Sequence, residues 1–138
     1  MKHSITETEE RIIGQILFDG NKSVLEAINV LDETDFSDPA CSILFGVCVA
    51  VVSKHKSVDC LSVHQFLQNN AEKLGSIFQR LKKLTDTKTA IDYLMLRSAE
   101  LSAMHANRNY SNDLLTNCRY LKQEAERKKT QEIIFSAE

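Results

Sequence analysis

One proline, four glycines and no tryptophan occur in 138 residues. Average usage would place roughly ten glycines and seven prolines in a chain of this length. An all-β domain needs turn residues every ~8–12 positions, so this scarcity excludes one and points to helices joined by short polar turns. The glycines are Gly14, Gly20, Gly46 and Gly75. None precedes a Lys-Ser or Lys-Thr pair, and no two lie two residues apart. A phosphate-cradling P-loop and a dinucleotide fingerprint are therefore both absent.

Charge of one sign is lacking too. The formal net charge is −2, so there is no global electrostatic footprint for nucleic acid. The opening MKHSITETEER carries no apolar stretch of the signal-peptide kind. The longest near-apolar run, Ile43 to Val52, falls short of the ~17–25 residues a bilayer span requires. These features give the expectation of a soluble, cytoplasmic protein with no membrane partner. Cys41, Cys48, Cys60 and Cys118 form no C-x-x-C pair, and His3, His55, His64 and His105 lack ligand spacing beside them. No metal, cofactor or catalytic group is expected. Cys41 and Cys48, two helical turns apart, read as small buried apolar residues.

What is present is helical periodicity. Thr6 followed by Glu9 has the capping-box spacing, and Ile12, Ile13, Ile16 and Leu17 share one face. Asp19-Gly20-Asn21 stops that helix, with Ser23 as the expected cap of a short second one. Asp38 before Pro39 is a helix start, and ACSILFGVCVAVVSK behind it reads as a helix buried nearly all round. Asp35 reads as turn chemistry and Asp38 as a cap, so the pair needs no catalytic reading. Asp59 or Ser62 caps the next helix, which carries Val63, Phe66 and Leu67 and ends at Asn69-Asn70. Two stripes follow on either side of the turn Thr85 to Thr89: Ile77, Phe78, Leu81 and Leu84, then Ile91, Leu94, Met95, Ser98 and Leu101. Together they predict an antiparallel helical hairpin. Its arms either offer an apolar surface to a partner or fold back on their own core. Arg80, Lys82 and Lys83 lie opposite the first stripe, as a solvated face or a contact for DNA or an acidic partner. A polar stretch after residue 104 leads to a last helix with a narrow stripe, Leu114, Cys118, Leu121 and Ala125, ending in Ile133, Ile134 and Phe135. So narrow a stripe predicts a connector that docks on something else rather than a core element. Glu124 and Lys128 have the spacing of a surface ion pair.

Four stretches in this order resemble the N-terminal domain of DnaB-type replicative DNA helicases. They are Glu10-Arg11-Ile12-Ile13-Gly14-Gln15-Ile16-Leu17-Phe18-Asp19, then Asp35-Phe36-Ser37-Asp38-Pro39 leading into Ile43-Leu44-Phe45. Val58-Asp59 with Leu61 and Val63 is the third. The fourth is Leu81-Lys82-Lys83-Leu84, a Thr-rich turn, then Ile91-Asp92-Tyr93 and Arg97. Glu124-Ala125-Glu126 and the tail Ile133-Ile134-Phe135-Ser136-Ala137-Glu138 resemble the linker helix that precedes the helicase motor. Cys41 stands where the family usually has His, and the hairpin turn lacks the usual Pro. Both departures suit a divergent member encoded by a phage or plasmid.

The resemblance implies an all-α fold: a small orthogonal helical bundle over 1–73, a dimerisation hairpin over 74–106 and a linker helix over 107–138. It implies a non-catalytic collar module of the primosome in DNA replication. Such a module pairs with itself, as a dimer or as a hexameric ring built as a trimer of dimers, and docks primase or a helicase loader. ATP hydrolysis and most DNA contact would belong to a motor domain, so DNA is at most a weak partner here. The expected self-association residues are Phe78, Leu81, Leu84, Ile91, Leu94 and Met95. The expected linker-docking residues are Leu114, Cys118, Leu121, Ile133, Ile134 and Phe135. Two alternatives stand beside this: a free-standing collar mimic that loads, inhibits or redirects a helicase or primase, and an unrelated small helical DNA-binding domain. A motor reading frame following Glu138 would mark a part of an ATP-dependent helicase; a stop codon would favour the mimic.

Overall fold

The computed structural model describes residues 5–81, 86–107 and 113–137, which form helices and turns with no strand among them. Helix α1 runs Ile5–Asp19, α2 Asn21–Ile28, α3 Pro39–Ser53, α4 Cys60–Asn69, α5 Gly75–Phe78, α6 Thr87–Asn107 and α7 Leu114–Ala137. Short 3₁₀ turns cover Glu33–Asp35 and Gln79–Leu81. The all-α expectation holds.

Helix α3 is the centre of the core. Asp38 caps it by accepting from the Cys41 amide at 3.0 Å, and Pro39 supplies a preset φ at the first position. Cys41, Leu44, Phe45 and Cys48 are fully or almost fully buried along it. Its end is closed by His55 at φ 60, with the His55 amide donating to Val52 O and the Lys56 amide to Val51 O. This is the Schellman arrangement with a histidine where glycine is the usual choice. Asp59 and Ser62 then form a reciprocal capping box on α4, so both expected caps contribute.

The first helix departs from its sequence reading. Because α1 already includes Ile5, Thr6 and Glu9 lie inside it and form no N-terminal box. Glu9 is fully buried. Its carboxylate accepts from Ser37 Oγ at 2.6 Å and from the Asp38 amide at 2.9 Å. A local motif is thus replaced by a tertiary one, which ties α1 to the start of α3. Gly20, at φ 91, makes the tight passage into α2, and Ser23 bonds back to Asp19 at 3.3 Å instead of capping. Asn21 then clamps the α3–α4 loop: its side chain donates to Lys56 O and accepts from the Val58 amide.

The expected hairpin folds back. Its first arm is the single turn α5 followed by a 3₁₀ turn, whereas α6 is a helix of 21 residues lying along α1 and α4. Close approach to α1 is possible because Gly14 has no side chain. A Cβ there would sit 2.4 Å from the Leu101 carbonyl oxygen. Arg97 of α6 pairs with Glu10 of α1 and with Glu100. On the other side, His64 Nε2 lies 3.2 Å from both Met95 O and Ser98 Oγ. Ser98 Oγ also lies 2.8 Å from Met95 O, so the three groups form one local hydrogen-bond cluster between α4 and α6.

The narrow stripe of α7 is also spent within the chain. Leu114, Cys118 and Leu121 are buried at 3%, 0% and 1% exposure, with α1 and α2 as the packing partners of this helix. The expectation that this helix takes no part in the core is therefore overturned for its first half. Three buried side chains per two turns suffice, because each Leu contributes about 1.5–3 kcal/mol when fully buried. Glu124 pairs with Arg127 at 2.7 Å rather than with Lys128.

Candidate self-association and docking surfaces

Long helix α6 divides into faces by the 3.6-residue period. Ala90, Leu94 and Leu101 are buried, as are Ile91 and Ser98. The remaining side carries Tyr93, Leu96 and Met104, with 40%, 61% and 37% of their surfaces exposed. Asp92, Ala99, Glu100 and Ala103 are exposed beside them, with Lys88 and Thr89 one turn earlier. Three large apolar side chains among alanines, with the charges Lys88, Asp92 and Glu100 spaced along them, make a face of the kind used for contact with another macromolecule.

The structure divides the expected self-association residues. Ile91 and Leu94 belong to the interior, so neither presents a contact surface. Met95 and Leu81 are partly buried against the core. Leu84 lies outside the described residues, as do the side chains of Phe78 and Arg80 and the cations Lys82 and Lys83. The exposed Tyr93 and Leu96 fall outside the expected set because the most regular apolar stripe on a helix marks its core face. The usable signal was the weaker stripe beside it, Tyr93, Leu96, Glu100 and Met104.

Of the expected linker residues, Leu114, Cys118 and Leu121 come together on the body as described. The side chains of Ile133, Ile134 and Phe135 lie outside the described residues. Lys122 and Lys129, further along α7, meet the body through charge. Lys122 Nζ lies 3.3 and 3.2 Å from the two oxygens of Asp35, and Lys129 Nζ lies 3.8 Å from Oδ1. Asp35 is buried and also accepts the Asp32 amide at 2.9 Å, completing a capping box around the 3₁₀ turn. Asp35 raises the pKa of Lys122 above its ordinary value through this hydrogen bond. The Thr34 hydroxyl, and more weakly the two lysines, lowers that of Asp32.

Chemistry-bearing groups elsewhere are quiet. Burial pushes the Cys48 and Cys118 thiols up to about 12 and raises Cys41 as well, so these three stay protonated near neutrality. Among the described residues, no group of three or more His, Cys, Asp or Glu is placed to hold a metal ion. No helix there is long and apolar enough to cross a membrane. A cleft of about 200 Å³ between Ile5, Thr34, Ser37, Ala125 and Lys128 accompanies the Asp35 ion pairs. A second of about 560 Å³ lies between Asp19, Lys22, Glu26 and Asp113.

Comparison with known proteins agrees with the fold and the motif order. The family model for the DnaB-like helicase N terminal domain matches residues 1–76. No curated protein and no solved structure matches the chain. The matched segment holds α1 to α4, with the buried α3, the Asp38-Pro39 start and the Glu9 tie that orders them. Helices α6 and α7 fall beyond it. With more than half of its length matched, the chain belongs to the DnaB-like helicase N-terminal domain family.

Proposed function

We propose that this chain is a non-catalytic module of DNA replication that associates with itself and docks a primase or a helicase loader onto a DnaB-type helicase. The observation that carries this reading is the family match over residues 1–76. Members of a helicase N-terminal family act beside a motor, and the absence of a P-loop motif here suits that division of labour. For self-association, the exposed side of α6 supplies what the expected stripe does not, with Tyr93, Leu96 and Met104 as contacts. Aromatic and large aliphatic side chains on a rigid helix give contact area at low entropic cost. In this reading the partly buried Met95 adjoins that face on the same helix, and Phe78, Leu81 and Leu84 stay among the expected contacts. The tail residues Ile133, Ile134 and Phe135 are the proposed contact with a motor domain.

The test is direct binding, with the purified chain titrated against a DnaB-type helicase, a primase and a short DNA duplex. Micromolar binding to helicase or primase, with at most weak duplex binding, is the expected result. If the chain also alters unwinding when added in trans, the free-standing mimic is the form in which it acts. Binding to duplex alone, with an affinity falling steeply as salt rises, would overturn the reading.

A further inference from the structure

We propose that α7 is built in two segments: an apolar anchor over 114–121 and an arm from Lys122 onward that an ionic latch on Asp35 holds to the body. The latch lets the arm detach while the anchor stays docked. The inference is independent of what the chain binds and rests on how burial changes along one helix.

The anchor is conventional. Leu114, Cys118 and Leu121 recur at i, i+4 and i+7 and are buried, and Asn117 beside them is buried too. Past Leu121 the stripe continues, as far as residue 130, only with the small Ala125. Glu124 and Ala125 are half-buried along the small cleft, and every residue from Glu126 to Thr130 is exposed. Yet the helix continues unbroken to Ala137. Along 122–130 the ties to the body are ionic, Lys122 and Lys129 both reaching Asp35 from positions two turns apart. Separation of such contacts exposes little apolar surface, so what opposes detachment of the arm is the loss of Asp35's partners and not the apolar burial that holds the anchor.

The charges are unequally placed, and this makes the latch directional. The Asp35 side chain is 0% exposed, whereas Lys122 and Lys129 are 32% and 54% exposed. A buried carboxylate requires its partners far more than two half-hydrated ammonium groups require the carboxylate. The body therefore holds the arm, not the reverse. Once released, a helical segment this short, whose residues 126–130 are all exposed, is marginal in water and frays. Its amides then lose protection while those of the anchor keep it.

Hydrogen exchange on the full chain, read by residue, tests this. Asp35→Asn removes the charge while its remaining oxygen still accepts the Asp32 amide, so the 3₁₀ turn keeps its cap. We expect exchange across 123–137 to rise about tenfold or more, with 114–121 and α1 unchanged. The double variant Lys122→Gln with Lys129→Gln changes only half-exposed side chains and leaves the cap untouched; it should give the same local pattern. Unchanged exchange across 123–137 in both variants would overturn the latch. So would uniform acceleration of arm, anchor and α1, since the ion pairs would then support the fold as a whole.

Discussion

At the residue scale, two positions carry more of the architecture than their types suggest. Gly14 is where α1 and α6 cross, and its absent side chain sets their separation. Gly14→Ala would force a methyl against the Leu101 carbonyl, and overpacking of this sort costs about 1–3 kcal/mol. Chemical denaturation of the variant should show that loss despite the better helix propensity of Ala. Glu9 is the second. Desolvation outweighs its hydrogen bonds from Ser37 and Asp38 and raises its pKa above the ordinary 4.5. The folded chain therefore binds this proton more tightly than the unfolded one. The penalty of burying the charge is full above the folded pKa and fades as pH falls through it toward 4.5. Relative to Glu9→Gln, which keeps an acceptor and a donor at the site, the native chain should gain stability between pH 7 and pH 4.5. Urea unfolding of both proteins across that range measures the difference. A stability gap that stays constant, or moves the other way, would contradict the assignment of a strained buried carboxylate.

At the scale of elements, sequence and structure part where one apolar stripe has two possible destinations. Starts and stops were legible: Asp38-Pro39, Asp59 with Ser62, and Asn70 act on neighbouring backbone, and local chemistry suffices to read them. The buried nature of α3 was legible from composition, because a helix apolar all round has no solvent face to offer. Partners were not. The stripe on α6 has the pattern of a surface for another molecule, yet Ile91 and Leu94 face the chain's own interior. Periodicity identifies which face is buried without naming what buries it. The same holds for α7, where Leu114, Cys118 and Leu121 dock on the body. Leu121→Ala is the discriminating change. In a free connector it would be close to neutral, since Ala is the better helix former. In a docked helix it should cost about 2–5 kcal/mol, measurable by thermal or chemical unfolding. Glu9 and Asp35 were illegible for a related reason: their partners lie 28 to 29 and 87 residues away along the chain.

At the scale of the whole molecule, folding back α6 and docking the start of α7 leave an extended apolar face exposed on α6, that of Tyr93, Leu96 and Met104. Membership of a DnaB-like helicase N-terminal family makes self-association the central claim, and this face is where it should occur. A charge at Leu94 would test folding rather than pairing, because that side chain is completely buried. Leu96 is the informative position, being 61% exposed. The most direct measurement is sedimentation velocity at tens of micromolar on the native chain, on Leu96→Glu, and on Leu25→Glu as an exposed control on α2. The account predicts a native dimer or larger assembly, a monomer of unchanged helicity for Leu96→Glu, and native behaviour for Leu25→Glu. A native chain that sediments only as monomer, or an assembly indifferent to Leu96→Glu, would contradict it.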